Sequence, residues 1–126
     1  MAVTKLINLG SLCLFTVMLA SGQLLFKRLG LAMRGQPLLD GFWLIARMPS
    51  LYLALALYGL STVLWIWILS RVSLARAYPW VAVGVVIVPL IGRYYFGEQL
   101  HPLFWVGVAL IFAGIFLVQG AAGAET

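Results

Sequence analysis

The stretch PLFWVGVALIFAGIFLVQGAAGA, Pro102–Ala124, carries no charged side chain. It is long enough to cross a bilayer, which takes roughly 20 apolar residues in a helix. Three more uncharged runs precede it: Leu6–Phe26, Met48–Ser70 and Ala77–Gly92. The third is short between Arg76 and Arg93, but both cations have stems long enough to snorkel, so a helix from about Val72 to Phe96 still fits. Composition agrees. The 126-residue chain is 64% hydrophobic and 9% charged, with a mean hydropathy of +1.10, whereas a soluble domain averages about 25% charged residues. A chain this small keeps a large share of its surface exposed, so this much apolar surface requires lipid as its solvent. The expectation is an all-α membrane protein with four transmembrane helices in a single domain. The spans are expected at about 6–26, 49–70, 74–96 and 102–121.

Lys5 ahead of an apolar run, with small residues at Ala20–Gly22, has the outline of a signal peptide. The run continues through Leu24, Leu25 and Phe26 to Lys27–Arg28, which suits a retained span better. Cys13 is the one cysteine, so no intrachain disulfide is expected, and it reads as a small apolar filler. The net charge of +5 comes from cations at span ends. That placement points to anionic lipid headgroups as the partner and away from nucleic acid.

The sizeable connection runs from Lys27 to Arg47. Its Leu38, Leu39, Phe42, Trp43 and Ile45, set among Asp40, Gly41 and Arg47, predict a piece lying in the interface plane or extending the second span at its start. Pro49 favours a break just before that span. Connection two, SRVSLARAYP, is tight and basic; in connection three, RYYFGEQLHP, the run Tyr94–Phe96 reads as an aromatic belt. Connections one and three hold Lys27, Arg28, Arg34, Arg47 and Arg93, against Lys5, Arg71 and Arg76 on the other side. The positive-inside rule leans towards both termini lying outside the cytoplasm.

No catalytic set is visible, so no enzyme is expected, and neither a cofactor nor a metal. His101 stands alone beside Pro102 and reads as an interfacial residue. Polar groups inside the spans say more, because in hydrocarbon each must find a partner or face a cavity. Gln23 is the main one, suited either to neutral contact with a sugar or phosphate or to a helix-to-helix bond. Ser61 and Thr62 are expected to bond back to carbonyls of their own helix, and Gln119 to sit at the interface. Trp65, Trp67, Trp80 and Trp105 read as interface anchors, with Trp65 and Trp80 also candidates for stacking on a ligand. Gly107 and Gly114 share one face of the last span, with Ala109 and Ala113 on an adjoining stripe, which predicts close approach of another helix. Glu98 is expected to act structurally before the last helix, receiving backbone N–H groups or pairing with Arg93.

RAYPWVAVGVVIVPLIGRYYFGEQLHPLFWVGVALIFAGIFLVQ, residues 76–119, resembles the drug/metabolite transporter superfamily, with Ala-Tyr opening the third helix, Phe-Gly-Glu near its end and a Gly-rich final helix. GQLLFKRLG in the first span resembles the Gly-x-x-x-x-Lys segment of small multidrug resistance proteins, four-helix bundles that dimerise, often antiparallel. The resemblance covers most of the chain apart from Gln36–Ile45. Those multidrug proteins carry a membrane-embedded glutamate three residues before the glycine. Here that position is Leu19, and Asp40, Glu98 and Glu125 all lie in connections or the tail. A buried carboxylate is the natural holder of a cation at low dielectric, so drug-cation export lacks its main residue.

SGQLLFK without the glutamate, together with AYP, is most similar to the 4-amino-4-deoxy-L-arabinose-phosphoundecaprenol flippase subunits. That resemblance implies transport of a polyprenyl-phosphate-linked aminosugar across the bacterial inner membrane for lipid A modification. It also implies a homodimer, or a heterodimer with a similar four-helix subunit. On this reading Lys27, Arg28, Arg71, Arg76 and Arg93 supply cations for the phosphodiester, while Gln23 and Tyr78 supply neutral groups for the sugar. The competing readings are an exporter of a small metabolite or drug in the same superfamily, and a membrane scaffold for a glycosyltransferase.

Overall fold

The computed structural model describes residues 2–124, with side chains through Ala121; the tail residue Glu125 lies outside the described residues. Five helices follow in order: α1 Ala2–Met33, α2 Leu38–Ala46, α3 Pro49–Leu69, α4 Leu74–Phe96 and α5 Leu103–Ala124. Four of them, α1, α3, α4 and α5, are long and apolar enough to cross a membrane. The protein is an all-α, multi-pass membrane protein.

Local chemistry places the breaks. α1 does not stop at Lys27–Arg28 but runs on to Met33, because lysine and arginine are good helix formers whose heads reach water from a helical backbone. It ends where Gly35 takes φ +80 and Pro37 follows. The expected interface segment is a separate short helix, α2, with Leu38, Leu39, Phe42 and Trp43 exposed and Gly41 packed under Met33. Met48 is extended, as a residue before proline prefers, and Pro49 starts α3 where no N–H is needed. α4 ends at Gly97, whose φ of +66 closes the last turn with a 3.1 Å bond from its N–H to the Arg93 carbonyl.

Packing is built on α1. It runs antiparallel to α3, with Phe15 stacked on Trp65 at 4.7 Å between centroids and Phe26 tilted against Tyr58 at 4.9 Å. Ala54, Ser61 and Ile68, seven apart, form the buried stripe of α3. Two of the three are small, which brings the backbones close where dispersion and shape, not water, drive association. Leu12, Phe15, Ile68 and Ala77 form a core at the end where α3 hands over to α4. Ser61 and Thr62 donate to the carbonyls of Leu57 and Tyr58 in their own helix, at 2.6 and 2.8 Å. α5 lies on the outside against α4.

Candidate functional site

Beyond the packed end, α1 and α4 line a half-open cleft of about 400 Å³. On α1 the lining residues are Thr16, Leu19, Ala20 and Gln23, spaced three and four apart along one helical face. On α4 they are Trp80, Val81, Gly84, Val85, Val88 and Pro89. The walls are apolar, and the polar groups are few and neutral. Thr16 Oγ1 donates to the Leu12 carbonyl at 2.9 Å. Gln23 Nε2 donates to the Tyr58 hydroxyl of α3. Pro89 has no N–H to give to the Val85 carbonyl one turn earlier, so that carbonyl lacks its usual helical donor beside the cleft. Leu19 stands in the cleft, and among the described residues no acidic side chain lines it.

Charge begins at the rim. Lys27 follows Gln23 by one turn on the same face of α1, and its Nζ pairs with Glu98 Oε1 at 2.9 Å. Glu98 therefore meets Lys27, in place of the expected Arg93. Its carboxylate folds over Gly92, where an added Cβ would lie 2.9 Å from Oε2. Arg28 and Arg93 are exposed at this same membrane end, with Tyr94 and Tyr95 beside Arg93 on the outer surface of α4.

The remaining expected contacts lie elsewhere. Arg71 and Arg76 belong to the opposite end, between α3 and α4, so the five basic residues divide into two groups across the bilayer. The Arg71 guanidinium sits 4.3 Å over the Trp67 ring. The Arg76 carbonyl accepts from Gln119 Nε2 at 2.9 Å, which makes Gln119 a tie between α4 and α5 at this end of the bundle. Trp65 is engaged by Phe15 and edge-on by Tyr78 at 6.3 Å, while Trp80 lines the cleft. Tyr78 is exposed and is not among the lining residues, so it does not join Gln23. Tyr58 does, a residue the sequence reading passed over. Its signal is a phenol deep in an uncharged span, where the hydroxyl must find a partner. His101 Nδ1 accepts the Leu103 N–H at 3.1 Å and caps the start of α5. Gly107 and Gly114 have open space where a Cβ would be. Among the described residues, no three His, Cys, Asp or Glu side chains gather in one place.

Comparison with known proteins follows the same lines. A protein of Aeromonas hydrophila subsp. hydrophila named "Probable 4-amino-4-deoxy-L-arabinose-phosphoundecaprenol flippase subunit ArnE" is 33% identical over 108 residues, 86% of this chain and 90% of that protein. Proteins of the same name from Pseudomonas savastanoi pv. phaseolicola and Pseudomonas aeruginosa are 41% identical over 52% of this chain and 36% identical over 66% of it. In those two the match covers 58% and 72% of the relative's own length. In three relatives of this name, from Pseudomonas savastanoi pv. phaseolicola, Pseudomonas syringae pv. syringae and Pectobacterium atrosepticum, the chain spans less than two thirds of the relative's own length, at 58%, 66% and 62%. No solved structure matches. The description of EamA-like transporters matches residues 3–120. With four membrane-crossing helices and a match over nearly its whole length, the chain belongs to the EamA-like transporter family of the drug/metabolite transporter superfamily.

Proposed function

We propose that this transporter is a flippase subunit that moves a polyprenyl-phosphate-linked aminosugar across the bacterial inner membrane, in the service of lipid A modification. The observation that carries the reading is the division of chemistry along the α1–α4 cleft: neutral hydrogen-bonding groups within, then Lys27 one turn beyond Gln23, with Arg28 and Arg93 exposed at the same membrane end. A sugar ring needs neutral donors and acceptors, which Gln23, Thr16 and the Val85 carbonyl provide, and Trp80 offers a face for it. A phosphodiester needs cations where water still reaches, which the rim provides. The polyprenyl tail needs no site, because the half-open cleft leaves it in the bilayer. The relatives' printed names, which join an aminosugar to a phosphorylated polyprenol, support the same substrate class.

A headgroup crossing the membrane needs more enclosure than α1 and α4 provide. The open face of α5 around Gly107 and Gly114 suits a second four-helix subunit, identical or similar, packed backbone to backbone. The Lys27–Glu98 pair bridges the α4–α5 turn and α1 when no headgroup is bound.

Native mass spectrometry of the purified protein, offered polyprenyl-phosphate sugars alongside ordinary phospholipids, tests the proposal. Retention of the lipid-linked sugar, together with its movement between leaflets in proteoliposomes, is the expected result. Preference for soluble amines or guanidinium compounds would point to a metabolite exporter. Capture of a glycosyltransferase with no lipid bound would point to a scaffold.

A further inference from the structure

We infer that Lys27 and Glu98 together recognise a zwitterionic headgroup: the substrate's phosphodiester takes Lys27, its sugar ammonium takes Glu98, and the ion pair parts to admit the ring between them. This rests on the lipid-linked aminosugar reading above and assigns the residues that would select the amine.

Three observations carry it. The pair stands at the end of the cleft, since Lys27 lies one turn beyond Gln23 on α1 and Glu98 packs on Gly92, one turn beyond Val88 and Pro89 on α4. The side chains are 42% and 39% exposed, so the protein seals neither charge away once they separate. Such a pair is worth little and opens at little cost, unlike a buried one, where each stranded ion is heavily penalised. Finally, among the described residues no acid lines the cleft, and Asp40 belongs to α2 outside it, so the described counter-charge for an ammonium entering from this end is Glu98.

The chemistry of the relatives' named lipid fits this spacing. Its amine is at the 4-position, across the sugar ring from the anomeric carbon that bears the phosphate. One ring therefore presents a cation and an anion at its two ends, matching a carboxylate and an ammonium moved apart by the width of the ring. Glu98 also supplies discrimination. A bare polyprenyl phosphate, with the same tail and anion but no amine, would pull Lys27 away and leave Glu98 facing another negative charge. Gly92 leaves room for the carboxylate to fold down here, since a Cβ at that position would lie 2.9 Å from Oε2.

The test offers three lipids to the full-length protein: a polyprenyl-phosphate aminosugar, the same lipid with its amine acetylated, and bare polyprenyl phosphate. Affinities are read by native mass spectrometry, and thermal melting is followed in parallel. The parent is expected to prefer the free-amine lipid to the acetylated one by about tenfold, the scale of one charge-assisted contact. Glu98→Gln should erase that preference while still binding both sugar lipids. Lys27→Gln should weaken both about tenfold. The charge-swapped Lys27→Glu/Glu98→Lys protein keeps an ion pair, so it should melt near the parent yet lose lipid binding; this variant serves if either single change fails to fold. A swapped protein with the parent's affinities and amine preference would show the pair to be a structural tie and overturn the inference. A parent that binds the sugar lipids without distinguishing amine from acetamide would overturn it too, leaving the transport proposal standing. A parent that binds none of the lipids would remove both.

Discussion

Gly22 of α1 sits directly against the ring of Tyr58 in α3, so close that a Cβ on Gly22 would lie 2.5 Å from Cε2. The missing side chain is what lets α1 and α3 approach here, and the adjacent residue Gln23 uses that approach to reach the Tyr58 hydroxyl. One contact thus joins the packing of the bundle to the lining of the cleft.

Gly22→Ala should therefore act on both. The methyl group must push the Tyr58 ring aside, an overpacking change of about 1–3 kcal/mol. The expected outcome is a lower melting temperature in detergent together with reduced lipid binding. A melting curve and affinity unchanged from the parent would show that the ring moves freely.

Gln23→Leu should leave the fold intact and reduce transport, since the amide is the chief neutral donor in the cleft. Measured side-chain hydrogen bonds inside membranes average about 0.6 kcal/mol and reach about 1.7. A double-mutant cycle with Tyr58→Phe should give a stability coupling within that range. Transport by Gln23→Leu should fall further than by Tyr58→Phe, because on the proposed reading the amide, which lines the cleft, also meets the substrate. Equal losses from both would assign Gln23 to helix pairing alone.

Gly107→Leu and Gly114→Leu meet open space inside one subunit, so neither should disturb the isolated bundle. Both should weaken association with a second four-helix subunit and lower transport with it, as followed by crosslinking in bilayers. A strictly monomeric parent that still flips its lipid would refute the dimer. Association left intact by both changes would refute only the choice of face.

Gln119→Leu should loosen α5 from α4 by removing the donor to the Arg76 carbonyl, again by about 0.6 kcal/mol on average. Faster hydrogen exchange along α5, with α1 and α3 unaffected, is the expected signature. Unchanged exchange along α5 would mean that its remaining contacts with α4 suffice.

The four spans were legible in the sequence because lipid imposes a length and a composition. Some twenty apolar residues must run together, and cations must wait at the ends. The break before α3 was legible for a similarly local reason, the steric demand of Pro49 on Met48. The absence of an acid at Leu19 was legible too, and the structure places that leucine in the cleft. Pairings across the bundle were not. Gln23 and Tyr58 are 35 residues apart, and Glu98 met Lys27 where sequence neighbourhood suggested Arg93. In water an apolar stripe marks the face of a helix that will pack, but in lipid every face is apolar and the stripe disappears. What chooses the packed face is shape: Gly22 under Tyr58, Ala54 and Ser61 along α3, and Gly92 beneath Glu98. Composition and local stereochemistry determined that this chain crosses the membrane four times and where its helices break. Only the close fit of small residues in three dimensions decided which polar side chains meet and where the cleft lies.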